Sequence, residues 1–298
     1  MEKKIKSIEL YRTNVVLSDP DDDGSLKEEI LATRTLYDES GNETERITYS
    51  SSGDAEERVI TRYSNGHPTE EILELEGEVA ERTTREFNEL GVLIREFRHY
   101  QEGEPDQITY TFENGRPTLK LTTDSDGEEG EKYLWIYNGD KLEREEFYNE
   151  YGDAELVKNH IYSDEGKLSE TEELRYSDGE QHRSVFIFDE KGNLVQEKRY
   201  NTKGNLIART TVTLDDNNRI SATEEETMLG KTRSEFSYDE LGNNILLEEK
   251  AADGETITTI ERQFDANGRV IGTEVVMKAA MNRPGQHYTL RYAYGFWE

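Results

Sequence analysis

The sequence predicts an all-β fold, a long antiparallel meander of about 20 short strands in an open, twisted or curled repeat sheet with no significant helix. Three observations predict it. Turn-like glycines recur from Gly41 to Gly268, with 227 residues holding 18 intervals of about 12.6 residues. Between them side chains alternate with period 2, as in "RSVFIF", where Val185 and Ile187 share one face and Phe186 and Phe188 the other. Most of the glycines are preceded, three or four residues earlier, by an aromatic followed by Asp, Asn or Ser.

Ile5 to Leu17 reads as a strand and "SDPDDDGS" as a longer acidic turn, so residues 1–30 form N-terminal capping strands and an acidic loop. Residues 31–275 form the repeat array, in which alternate turns belong to two series. One holds "YDESGN" from Tyr37, "FDEKGN" from Phe188, "YDELGN" from Tyr238 and "FDANGR" from Phe264; the other holds "YSSSGD" from Tyr49 and "YNTKGN" from Tyr200. The unit is a hairpin of about 25 residues with one series at each end of the strands. Within the tile Asp38, Asp189, Asp239 and Asp265 bond turn N–H groups, and Gly41, Gly192, Gly242 and Gly268 supply positive φ. Asn218 takes the glycine's place in "LDDNNR". The strand-end aromatics, Tyr37, Phe188, Tyr238 and Phe264 among them, are expected to stack in rows at the ~4.8 Å strand spacing. Apolar residues such as Leu194, Ile220 and Val270 fold back after the turn. Residues 276–298 break the period, and Tyr288, Tyr292, Tyr294, Phe296 and Trp297 make them an aromatic cap or a docking segment for a partner.

Composition narrows the function classes. The 298 residues carry 36 basic and 66 acidic side chains, a net charge of −30. Such a chain repels nucleic acid and anionic membrane and suits a basic protein partner. It has no Cys, which excludes disulfides, thiolate zinc sites and a Cys nucleophile. No run approaches the ~18 apolar residues of a membrane helix, so no membrane span is expected. With no signal peptide in the N-terminal residues the default location is cytoplasmic, or periplasmic or cell-surface if a leader was cleaved. Self-association through the sheet edges is expected of an open array.

The repeated Tyr/Phe-Asp-x-x-Gly-Asn, best matched at Tyr37-Asp38, Phe188-Asp189, Tyr238-Asp239 and Phe264-Asp265, resembles the YD repeat of RHS and teneurin-type proteins over about Leu31 to Thr273. Shorter turns such as "YSNGHP" and "FENGRP" are similar to the MORN-like repeats of small bacterial antitoxin-type proteins. The resemblance implies long antiparallel sheets that spiral into a shell. The chain departs from the full RHS pattern in having neither a C-terminal toxin nor the Asp-rich self-cleaving motif.

Candidate chemistry is sparse. His67, His99, His160, His182 and His287 form no metal-ligand pair at motif spacing, and no nucleophile elbow, phosphate loop or dinucleotide fingerprint is present. Asp19, Asp21, Asp23 and Gly24 match positions 1, 3, 5 and 6 of a calcium loop, but Ile30 stands at the twelfth, where a bidentate Glu is needed. No other cofactor is expected. The sequence therefore reads as a non-enzymatic β-repeat scaffold or protein-binding protein. From the resemblance, its setting is as a component or partner of a bacterial secretion, toxin or immunity system. The alternative is an extracellular carbohydrate-binding surface protein that stacks sugar rings on its aromatics.

Overall fold

Period-2 segments punctuated by glycines form strands throughout, and the computed structural model describes residues 3–14, 28–177, 180–279 and 284–298. There are 22 strands and, among the described residues, no helix. The strands divide between two compact units, Met1–Arg82 with Ser234–Glu298, and Thr83–Arg233.

The first unit holds β1 (Ile5–Asn14), β2 (Ile30–Tyr37), β3 (Glu43–Tyr49), β4 (Ala55–Ser64), β5 (His67–Leu75) and the start of β6 (Glu78–Phe87). The second holds the rest of β6, β7 (Leu93–His99), β8 (Asp106–Glu113), β9 (Arg116–Thr123), β10 (Glu129–Asn138), β11 (Lys141–Tyr148), β12 (Ala154–Tyr162), β13 (Leu168–Ser177), β14 (Glu180–Phe188), β15 (Leu194–Tyr200), β16 (Leu206–Leu214), β17 (Ile220–Thr227) and the start of β18 (Gly230–Tyr238). The end of β18, β19 (Asn244–Ala251), β20 (Thr256–Phe264), β21 (Val270–Met277) and β22 (Gln286–Phe296) return to the first unit.

All 22 strands belong to one sheet, and every described pairing of consecutive strands is antiparallel. The expectation of an open meander is corrected at its ends. β1 pairs with β2 through Ile8↔Thr35 and with β22 through Ile8↔Tyr294, so the first and last strands are neighbours and the 22-strand sheet closes, the connectivity of a β-barrel. Closure removes the free edges an open array would offer for self-association, and that expectation goes with them. Two further expectations are corrected with it: no membrane span, read from the missing apolar run, and a cytoplasmic location, read from the missing signal peptide. No described helix is long and apolar enough to cross a membrane. A closed sheet crosses, where it does so, with strands of about 9–11 residues, which a search for apolar helices does not detect. With the sheet closed, neither expectation is kept.

Among the described residues no large side chain is more than 98 % buried, and the core positions, Ile108, Val157, Val185, Ala208, Ala222 and Val275, are scattered along the strands. The chain exposes 19325 Å², where a globular monomer of its 34.5 kDa mass exposes about 13,000 Å². Contacts between neighbouring strands therefore carry what a layered core would. On β3–β5 Arg58 Nη2 lies 2.5 Å from Glu45 and its Nη1 3.2 Å from Glu74.

Most of the described turns repeat one geometry. In these, the carbonyl of an Asp, Asn, Ser or, at residue 251, Ala accepts the N–H of the residue three on, which has positive φ and is a glycine everywhere but at Asn218: the Gly41 nitrogen is 3.0 Å from the Asp38 carbonyl with φ +91°, and the Gly192 nitrogen is 2.9 Å from that of Asp189 with φ +85°. This is a three-residue hairpin loop, a type I turn completed by a residue in the left-handed region. Every glycine of the expected series that lies within the described residues has positive φ, and Asn218 adopts +59° in the same turn.

The expected aromatic rows are corrected. Turn aromatics of one series sit on alternate strands, about 10 Å apart. Several face instead the apolar residue after their own turn, as in Tyr162↔Leu168, Phe188↔Leu194 and Phe264↔Val270, while Tyr37 faces Glu43. Cations cover several rings: Lys132 lies 5.0 Å from Tyr148, Lys141 5.0 Å from Tyr162 and Arg183 4.6 Å from Tyr200. Tyr162 Oη also donates to the Leu142 carbonyl at 2.8 Å, and Tyr294 Oη to Val270 at 2.8 Å, riveting a strand end to the neighbouring turn.

Candidate functional site

The repeat aspartates are occupied by their own turns. Asp189 Oδ1 accepts the N–H groups of Lys191 (2.8 Å) and Asn193 (2.9 Å), and its Oδ2 accepts Asn193 Nδ2 at 3.0 Å. Asp38 makes the same set with Ser40 and Asn42, and Asp239 with Leu241 and Asn243. At Asp265 an arginine replaces the asparagine, and Arg269 Nε donates at 2.7 Å. Donation from the Asn side chain holds the carboxyls of Asp38, Asp189 and Asp239 below the ordinary range, and the Arg269 backbone N–H does so first for Asp265. An acceptor so saturated turns the chain and has no proton to exchange with a substrate.

One element of this tile escaped the sequence reading. The register skips a residue after many of the turns, and in five of them that bulged residue is Ser or Thr. Its side chain donates across to the carbonyl of the partner strand: Thr44 to Leu36, Thr69 to Arg62, Thr118 to Thr111, Ser169 to Ile161 and Ser221 to Thr213, at 3.0–3.3 Å. Thr44, Ser169 and Ser221 each follow their turn glycine, or Asn218, by three residues, a signal a position-by-position alignment of the tiles contains.

The densest polar constellation lies on β10–β13, in the second unit. The register places Trp135 opposite Glu145, Glu145 opposite Lys158, Lys158 opposite Glu173, and His160 opposite Thr171. Tyr133 Oη donates to Glu145 Oε2 at 2.5 Å, and His160 Nε2 lies 2.8 Å from Glu145 Oε1. An ionised Glu145 can only accept, so His160 donates through Nε2, and its Nδ1 lies 3.1 Å from the Thr171 hydroxyl. Burial pushes the Glu145 carboxyl up, but donation from Tyr133 and His160 outweighs it and holds the group below its ordinary value. Burial first, then the bond to Glu145, raises the Tyr133 phenol well above its own. Beside this chain Glu173, 8 % exposed, joins Lys158 (3.2 Å) and Arg175 (2.5 Å). Tyr133 meets Trp135 at 4.5 Å and Phe147 at 6.4 Å between ring centroids.

A cavity of about 580 Å³ lies over His160, bordered by Asn138, Asp140, Lys141, Glu143 and Tyr162. Its chemistry is limited. Glycoside hydrolysis needs two carboxyls free to act as acid and base or nucleophile. Asp140, itself exposed, is bound by Arg116, Glu145 is bound by Tyr133 and His160, and Glu143 stands exposed at the rim.

The remaining sequence candidates fall elsewhere. Asp19, Asp21 and Asp23 lie outside the described residues, and among the described residues no group of three His, Asp or Glu is placed to hold a metal. Tyr288, Tyr292, Tyr294 and Phe296 are in β22, paired on both sides by β1 and β21, and Trp297 follows, its N–H donating to the Lys4 carbonyl at 3.0 Å. The segment is a closing strand and not a free tail.

No family model matches the chain, and no curated protein matches it. Among solved structures it is similar to the TcdB2-TccC3-TEV structure, at 14 % identity and a TM-score of 0.34 over 82 % of this chain, and to the Photorhabdus luminescens Tc holotoxin pore, at 15 % and 0.33. The chain spans about 15 % of the length of each. It is also similar to a porin-like protein from Bacteroides uniformis, at 15 % identity and a TM-score of 0.33 over 99 % of both chains. Likeness at this level assigns neither family nor function, and membership of the YD-repeat family is not shown.

Proposed function

We propose that the chain is a non-enzymatic β-repeat scaffold whose surface binds a protein partner, as a component or partner of a bacterial secretion, toxin or immunity system. One observation carries the non-enzymatic part: most of the polar groups gathered at the site are tied to one another. The turn aspartates hold their own loops, and Glu145 and Glu173 on β11 and β13 are held by Tyr133, His160, Lys158 and Arg175. The bacterial setting follows the resemblance of the turn motif to YD repeats.

The test is affinity capture from both the soluble and the detergent-solubilised fractions of the native cell, at low and high salt. The reading requires one stoichiometric partner, enriched over a scrambled-surface control and reconstituted from purified components. Absence of such a partner from both fractions sinks the binding reading. Hydrolysis of a glycan by the purified protein, abolished by Glu143→Gln or Glu145→Gln, sinks the non-enzymatic one.

A further inference from the structure

The residue before the turn glycine is polar in most tiles, as at Ser40, Asn65, Asp126 and Lys191, and the turn asks nothing apolar of it. At Leu90, Tyr151, Leu229 and Leu241 it is large and apolar yet 72–100 % exposed, so its side chain packs on little of its own chain. At the β17–β18 turn it is not alone. The β16–β17 ladder ends at Ala208↔Thr227, and beyond it Leu206 and Ile207 continue on one strand and Met228 and Leu229 on the other. These four aliphatic side chains are 47 %, 37 %, 86 % and 100 % exposed, and all lie in the second unit.

The tip keeps its shape without help from these side chains. Thr227 Oγ1 accepts the Leu229 N–H at 3.1 Å and donates to the Gly230 carbonyl at 3.3 Å, and Gly230 takes φ +143°. Met228 and Leu229 therefore stand on a preorganised hairpin tip, which lowers the entropy lost when they are covered. An exposed apolar patch rimmed by charge marks a contact with another molecule. A second observation, of charge, says what kind. Residues 196–210 and 222–233, which flank the tip, carry six basic and four acidic side chains, in a chain where acids outnumber bases 66 to 36. Lys203 and Lys231 stand exposed beside the apolar residues.

We propose that this tip docks into an apolar pocket on a protein partner whose pocket rim carries carboxylates. The proposal rests on the protein-binding reading above and names where that binding takes place. Side chains that stand proud of the surface need a concave receiver, and Met adapts to an irregular one. The local excess of bases selects the acidic rim. An anionic lipid surface is disfavoured, because other turns at this end of the second unit expose Asp126, Glu128, Glu150 and Asp153, which would face it too. A second copy is disfavoured by the −30 charge that each chain carries.

The chain has no cysteine, so Met228→Cys takes a single label. A benzophenone there is cross-linked in the soluble and the detergent-solubilised fractions of the native cell, and the complex is then reconstituted from the purified full chain and the purified partner. With an environment-sensitive NBD group at the same position, the expected result is a blue shift that saturates as the partner is added. In unlabelled protein Met228→Asp/Leu229→Asp should weaken the complex at least about tenfold by calorimetry, and Met228→Leu/Leu229→Met should hold it within about threefold. Lys203→Glu/Lys231→Glu should weaken it at low salt and much less at high salt. Circular dichroism reports that each variant is folded. The inference is overturned if the purified partner binds the double aspartate variant as tightly as the parent, or if the NBD group stays in water at saturation; the protein-binding reading survives both results. If no partner is reconstituted from either fraction, both fall. A blue shift on phosphatidylcholine–phosphatidylglycerol vesicles without any partner, or a concentration-dependent dimer abolished by the double aspartate change, overturns the inference in favour of a lipid surface or a second copy.

Discussion

Glu76 is the residue whose replacement tests the turn argument most directly. It sits at φ +51° in the two-residue Glu76–Gly77 turn between β5 and β6. The equivalent residues of two other tight turns, Asn65 before Gly66 and Asn114 before Gly115, are held at the same +51°. Asn tolerates the left-handed region because its short side chain bonds locally, whereas an ordinary L residue pays about 1–2 kcal/mol there. The Glu76 side chain is exposed, and its N–H donates to the Glu56 carbonyl at 2.9 Å, a bond any non-proline residue keeps. Glu76→Asn should therefore raise the unfolding free energy by about 0.5–1 kcal/mol. Glu76→Gly relieves the same strain but gives back about 0.5–1 kcal/mol of unfolded-chain entropy, ending near neutral. Glu76→Gln removes the charge and keeps the strain, so it should stay within about 0.5 kcal/mol of the parent. Asn65→Gln should lose about what Glu76→Asn gains. Urea unfolding followed by circular dichroism reads the series as shifts in midpoint at constant slope. If Glu76→Asn is no more stable than Glu76→Gln, relief of charge and not of backbone strain explains any gain, and the reasoning fails.

Arg58→Met removes the cation between Glu45 on β3 and Glu74 on β5; because the guanidinium is partly exposed the loss should be about 1 kcal/mol, shrinking as salt is raised, and a salt-independent loss in urea unfolding would assign it to packing. Tyr110 and Tyr133 are raised above the ordinary phenol value, first by burial and then by their bonds to Glu96 and Glu145. A raised folded value favours the protonated form, so this stability is fully present below the ordinary value of about 10 and is lost as pH climbs towards the folded one. Near-ultraviolet tyrosinate absorbance should accordingly show a class that ionises only as the protein unfolds, reduced in Tyr133→Phe; reversible ionisation of every tyrosine in folded protein would contradict it. Asp189→Ala should strip the acceptor from the Lys191 and Asn193 amides, and hydrogen exchange should accelerate at those two amides while β12 and β13 stay protected; an unchanged rate at both would mean that the loop does not depend on the carboxylate.

The strand content was legible because glycine spacing, period-2 alternation and turn chemistry are local properties of the chain. Gly41 and Gly192 have positive φ because the turn requires it, and Asn218 adopts +59° where the glycine is missing. Asp189 and Asp239 hold the loops their spacing assigned them. Less legible was how one tile meets the next. The aromatic rows failed because a hairpin repeat puts equivalent rings two strands apart, so Phe188 faces Leu194 and Tyr200 takes the guanidinium of Arg183. The Tyr133–Glu145–His160–Thr171 chain joins residues from four strands, and no spacing within one strand announces it.

By itself, then, the sequence determined that the chain is all strand, where it turns, and which residues turn it, since each of these is settled within about a dozen neighbours. Only the tertiary structure decided that the sheet closes. The pairing of Ile8 with Tyr294 joins residues at opposite ends of the chain and depends on the summed twist and register of every strand between them, which no single tile encodes. That same long-range pairing turned the aromatic tail into a closing strand and brought Trp297 to Lys4 and Lys6.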